Sequence, residues 1–183
     1  MIVTDGKLKV GDVGLTKVRG AVGKLIRVMQ WLNGSSWHDS KFEHSFLLTD
    51  VNAIGRMWGF EAQPGGAHFF DVKEKYGNEE IVWIRPTNLS AQQQLDLVKQ
   101  ADILKGTPYS FLEYGALLTH RLHLPLPGVK KYVNSTRHLI CSQIIAELYR
   151  RISIELFGGE WPGYVTPANY YTVYGDTLAQ PTA

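Results

Sequence analysis

The sequence predicts a single α+β domain, with an antiparallel sheet packed against helices. Three observations carry this. An apolar run at helical spacing opens the chain, short branched and aromatic runs fill the stretch from His44 to Arg85, and helical patterns occupy most of the remainder. Strands and helices are therefore segregated along the chain, as α+β architecture requires and βαβ winding does not. At 183 residues the chain suits one domain over 1–183, with its body at about 8–175 and a full core.

The elements follow in order. "LKVGDVGLT" reads as a short strand and turn. Leu15, Val18, Val22, Leu25, Ile26 and Met29 recur at helical spacing, which predicts an amphipathic helix over about 16–32, weakened by Gly20 and Gly23. The polar stretch "NGSSWHDSKFE" reads as a loop. "HSFLLTDV", "RMWGFEA", "GAHFFDV" and "IVWIRP", separated by "NAIG", "QPGG" and "KYGNEE", read as a meander of antiparallel strands. Branched and aromatic residues suit a pleated, half-buried backbone, and the turn formers between them break it.

In "NLSAQQQLDLVKQADILKGTPY", Ser90 serves as N-cap and Gln93 completes a capping box. Leu95, Val98, Ala101 and Leu104 form its apolar face, and Gly106 with Pro108 ends it. "YSFLEYGALLTHRL" predicts a further helix, and "HLPLPGVKKYVNST" an irregular connection. A helix from Cys141 to about Leu156 turns Ile144, Ile145, Leu148 and Ile152 inward. The tail "GGEWPGYVTPANYYTVYGD" reads as an aromatic loop packed on the body, with a short helical turn after Thr166.

Composition narrows the function classes. A formal net charge of +2, without a long basic block, argues against a nucleic-acid partner. Lys17, Arg19, Lys24 and Arg27 do cluster on the first helix, either as a solvated face or as a contact for an anionic surface. One cysteine leaves no intramolecular disulfide and no cysteine-rich zinc module. The opening residues lack a signal-peptide pattern, and no apolar run is long enough to span a bilayer. These features fit a protein that is cytoplasmic as synthesised; they are compatible with a bacterial or phage origin, and export without a cleaved signal, for example inside a phage particle, is left open.

The single thiol raises the functional question. Cys141 at a helix start is either a small apolar core residue or a nucleophile whose pKa the helix N-terminus lowers. A nucleophile needs a base, an orienter for that base, and donors for the developing oxyanion. His44 opens the first long strand and by alternation shares a face, taken as the inner one, with Phe46 and Leu48. Glu61 on the following strand comes beside His44 if the turn falls near Asn52–Gly55. His68 on the next strand is the alternative partner. Each of these also has a bland role, a satisfied strand-end histidine or a solvated carboxylate. His120 and His123 stand three apart as metal ligands would, but no acidic or cysteine partner stands out, so no metal is expected. His138 lies before the cysteine helix, and Ser142 is a weaker nucleophile without its own base.

Six local segments add a resemblance. "LKVGDVGL", "FEHSFLL", "GFEAQPGGAHFFDV", "LKGTPYSFLEY", "HLICSQII" and "VTPANYY" occur in that order over about residues 8 to 175. Together they resemble the circularly permuted papain-like hydrolases, the YiiX/YaeF-like branch of the NlpC superfamily. The resemblance implies a papain-like fold, with Cys141 as nucleophile, His44 as base and Glu61 as orienter. It places Tyr109 and Ser142 near substrate and calls for no cofactor. It implies a cysteine hydrolase acting on an amide in a peptide, isopeptide or peptidoglycan-like substrate. Two rivals remain: a lipid acyltransferase or thioesterase using the same triad, which an apolar tunnel built from Trp31, Trp37, Phe69 and Trp161 would favour, and a catalytically silent binding module. The sequence departs from the pattern twice. Bulky Phe46 follows Ser45, which could narrow a cleft, and Gln143 replaces an acidic residue, which could alter capping.

Overall fold

The computed structural model describes residues 7–52, 55–77, 79–109, 140–159, 162–175 and 178–179. Six strands form one antiparallel sheet: β1 (Val13–Thr16), β2 (His44–Val51), β3 (Met57–Gln63), β4 (Gly66–Asp71), β5 (Val82–Ile84) and the two-residue β6 (Leu178–Ala179). Their order across the sheet is β4-β3-β2-β1-β5-β6. The chain is thus α+β, with helices α1 (Gly20–Leu32), α2 (Val72–Tyr76), α3 (Ala91–Leu104), α4 (Cys141–Arg151) and α5 (Pro167–Tyr174).

The meander is real for β2, β3 and β4, but β5 departs from it. Val82–Ile84 cross to the far side of β1 and pair with Leu15–Val13. A buried ion pair sits at this junction: Arg85 donates from Nε to Asp12 Oδ1 at 2.7 Å and from a terminal nitrogen to Oδ2 at 2.9 Å. The fork makes two charge-assisted bonds in one plane, so it fixes register as well as contact. "GAHFFDV" does not run on as strand either. The Asp71 carboxylate accepts from the Lys73 and Glu74 amides at 3.0 and 3.1 Å, capping α2 where a loop was expected.

Both faces of the sheet are covered. Val13, Leu15, Leu47, Phe60 and Ile84 pack under Leu97, Ala101, Ile144, Ile145, Leu148 and Tyr149. On the other face Phe46, Leu48, Phe70, Tyr76 and Trp83 form an aromatic layer beneath α2. This explains why β2 is buried without interruption from His44 to Thr49. Phe46 and Leu48 share a face as expected, but it is the one beneath α2 and not the inner face under α4. His44, at the first position of β2, lies at the end of the sheet against the head of α4. Phe46 fills the space left by Gly14, where an added Cβ would meet its ring at 2.3 Å, so it does not narrow a cleft.

The helices differ from expectation in detail. α1 starts at Gly20 because 13–16 is spent on pairing with β2, which puts Leu15 in a strand. Its buried residues are Gly23, Ile26 and Gln30, while Val22 and Leu25 face solvent. The capping box of Ser90 and Gln93 is present in α3, but the buried face is Leu97, Ala101 and Leu104, and Leu95 is exposed. α4 stops at Arg151, and Ser153 turns the chain with a left-handed φ of 62°. α5 is a full eight-residue helix where a single turn was expected. It is opened by Pro167 and by Asn169 Oδ1, which accepts from the Thr166 amide at 2.7 Å. The expected helix at "YSFLEYGALLTHRL", apart from Tyr109, and all of the irregular "HLPLPGVKKYVNST" lie outside the described residues, as do His120, His123, His138 and Trp161. No helix among the described residues is long and apolar enough to cross a membrane.

Candidate active site

Three elements converge at one end of the sheet. His44 is the first residue of β2, Glu61 lies within neighbouring β3, and Cys141 is the first residue of α4, which packs on both strands. His44 Nε2 meets Glu61 Oε2 at 2.8 Å. The Cys141 sulfur lies against the same imidazole, and charge and hydrogen bonding couple the two. The three side chains therefore form one contiguous chain: thiol, imidazole, carboxylate.

Electrostatics follow from that contact. Burial pushes the His44 pKa down, but the charges and hydrogen bonds of Cys141 and Glu61 outweigh it and raise the imidazole to about 9. Burial pushes the Cys141 thiol up. The facing His44, and hydrogen bonds from the Ser45 amide and hydroxyl, outweigh this and hold the thiol below its ordinary value. The N-terminal dipole of α4 acts in the same direction, and its first-turn N–H groups point toward the sulfur end.

Glu61 is fully buried and is a hub. Besides His44, its Oε2 accepts from the Tyr76 hydroxyl at 3.3 Å, and its Oε1 meets the Lys75 ammonium and His68 Nε2, the latter at 3.1 Å. Burial favours the neutral acid, but His44 and Lys75 reverse this and hold Glu61 below the usual carboxylate range. His68 thus contacts Glu61, and it is Glu61 that contacts His44. Lys75 and Tyr76 were not foreseen. Their signal was present in "DVKEKYG": Asp71 as N-cap, Glu74 three residues later, and Gly77 closing a short helix.

The other candidates separate. Tyr109 lines the cleft at the site, and burial, then the sulfur's charge, raises its phenol pKa. Ser142 corrects the expectation of a substrate contact. It is wholly buried, its hydroxyl donates to the Val165 carbonyl at 2.7 Å, and its own carbonyl accepts from Tyr170 at 3.0 Å. It ties α4 to the segment before α5, because a serine one residue past the cysteine points 100° around the helix. Gln143 keeps a capping function, since its Oε1 accepts from the Ile140 amide at 3.0 Å.

The cleft has a volume of about 430 Å³ and is lined by, among others, Lys17, Val22, Ile26, Glu43, His44 and Tyr109. Cys141 is 1% exposed and is not part of its wall. Trp31 and Trp37 do not build a tunnel: they meet edge to face at 6.1 Å on the outside of α1, while Phe69 packs against the helix-side core. Among the described residues no three metal-ligating side chains converge on a common point. Comparison with protein families finds no matching family model, and no curated protein matches the chain.

Proposed function

We propose that this chain is a cysteine hydrolase of the permuted papain-like type, cleaving an amide in a peptide, isopeptide or cell-wall peptide. One observation carries the reading: His44 bridges Glu61 and Cys141, with the imidazole pKa raised and the thiol pKa lowered. A thiolate beside an imidazolium is both nucleophile and poised acid.

The thiolate of Cys141 attacks the carbonyl carbon, and the C=O electron pair moves onto oxygen, where the first-turn N–H groups of α4 oppose its charge. As the C–N bond breaks, His44 gives its proton to the leaving nitrogen, and a thioester remains on Cys141. Water then attacks that thioester while His44 takes its proton. The C–S bond breaks, the acid product leaves, and the thiolate–imidazolium pair is restored. Glu61 holds the ring through Nε2 throughout, itself held by Lys75 and Tyr76.

Two other readings each have one observation in their favour. The apolar wall of Val18, Val22 and Ile26 suits a lipid acyl group handled by the same triad, in a thioesterase or acyltransferase. The near-complete burial of Cys141 suits a binding module without turnover. Alkylation by iodoacetamide across pH, followed by incubation with peptidoglycan fragments, isopeptides and acyl lipids, separates them. The hydrolase reading expects Cys141 to react faster than free cysteine near neutral pH and to form an acyl adduct detectable by mass with an amide substrate. A rate no faster than free cysteine, with no adduct, favours the silent module.

A further inference from the structure

Helix α1 is inverted relative to an ordinary surface helix. Its inner side carries Gly23, Ile26 and the polar Gln30. Gln30 anchors it, donating to the Phe42 and Ser40 carbonyls at 2.9 and 3.3 Å and accepting from the Ala168 amide at 2.9 Å. Its outer side is apolar. Val22, Leu25, Val28, Trp31 and Leu32 are 38–60% exposed, and Trp37 just beyond is 52% exposed. These six make up most of the large exposed hydrophobics among the described residues, the others being Leu95, Ile103 and Val173. Such residues are normally scattered singly, and a contiguous patch marks an interaction surface.

The charge around the patch selects the partner. From Lys17 to His38 there are four basic residues and no acidic one. Lys17 and Arg19 are balanced by Glu80 and Glu79 across 3.2 and 3.4 Å. Lys24 and Arg27 stand on the helix itself, and the Arg27 guanidinium lies 4.3 Å over the Trp37 ring. At about 100° per residue, Arg27 borders the arc of Trp31, Val28, Leu32 and Leu25, and Lys24 falls within it beside Trp31. An apolar face with tryptophans and a cationic fringe is the pattern of a helix lying in the plane of a lipid interface. A symmetric pairing with a second copy would set this fringe against itself.

We propose that α1, with Trp37, docks the protein on an anionic lipid surface. At 13 residues the helix lies on the membrane and does not span it. Val22 and Ile26 also line the cleft, so docking brings its mouth to the interface, where an amphiphile could enter without crossing water. The docking surface stands on exposure and charge, and holds whether or not Cys141 turns anything over.

The test is flotation of the full chain with phosphatidylcholine vesicles, with and without phosphatidylglycerol. The expected result is flotation with the anionic vesicles alone, a blue shift of tryptophan emission, and loss of both in Leu25→Glu with its circular-dichroism spectrum retained. Lys24→Gln combined with Arg27→Gln should weaken binding about 25-fold, taking each charge as worth roughly fivefold. Absence of flotation, equal flotation with both vesicle types, or flotation that Leu25→Glu leaves intact overturns the proposal. So does a stable dimer in light scattering that Leu25→Glu splits, which would assign the face to a second copy.

Discussion

Helices α1 and α4 look alike as sequence patterns and behave oppositely in the fold. α4 spans 11 residues and buries every one from Cys141 to Tyr149; α1 spans 13 and buries three. α4 even draws Glu147 inward, neutralised by Arg150 and Arg151 at 2.7 and 2.9 Å. α1 turns its best apolar face outward and its glutamine inward. Periodicity therefore reports that a helix has an apolar face, but not which surface that face meets. In α4 it meets the protein's own sheet, and the helix start is carried down onto β2, where a thiolate can be stabilised. In α1 the sheet is already covered, and the face remains free for something else.

Substitutions can break or sharpen this contrast. The largest effect is expected at the head of α4: Cys141→Ala abolishes thiol alkylation and turnover, with an unfolding midpoint close to that of the parent chain. His44→Ala also abolishes turnover, and it lowers the midpoint because Glu61 loses a buried partner. Next comes the body of α4, where Leu148→Ala should cost about 2–5 kcal/mol in urea unfolding, since the fully buried side chain leaves a cavity. In α1 the costly position is the polar one. Gln30→Ala strips partners from buried backbone groups and should cost about 1–3 kcal/mol by the same measurement. Leu25→Ala, on the outward face, should stay within about 0.5 kcal/mol. A large loss there, or a negligible one at Leu148, would erase the distinction between the two helices.

The pH dependence of stability sharpens the same point at the site. Taken alone, His44 stabilises fully below its ordinary 6.5 and loses that contribution as pH rises through about 9. Cys141, lowered from 9.0, runs the other way, stabilising above its ordinary range and losing this as pH falls. Between about 6.5 and 9 the folded pair has moved one proton from sulfur to nitrogen without releasing it, so the two slopes cancel. The urea midpoint should therefore stay flat between about 6.5 and 9 as far as this pair is concerned. Cys141→Ala removes one slope and also the sulfur that does most to raise the imidazole, so the His44 slope does not survive it unchanged.

Much of the chemistry was legible early because it depends on local rules. A histidine opening a strand sits at the end of the sheet, and a thiol at a helix start meets the positive end of the helix dipole. The capping box at Ser90 and Gln93 is local in the same sense. Lys75 and Tyr76 were harder to read because they reach Glu61 through a five-residue helix hidden behind a strand pattern. Ser142 was misread because adjacency to the nucleophile in sequence says nothing about direction around a helix. The place of β5 was invisible, since a three-residue strand carries no record of its neighbour, and the buried Asp12–Arg85 pair joins positions 73 residues apart.

The residues alone determined the α+β class, the order of most elements and the inventory of reactive groups, because these follow from dihedral preference, periodicity and side-chain chemistry within a few positions. Only the tertiary structure decided that His44 has Glu61 on one side and sulfur on the other, that Ser142 faces inward, and that α1 shows its apolar face to the outside. Those outcomes depend on which surfaces were already occupied when the helices packed. That is a competition among distant segments that no local stretch of chain encodes.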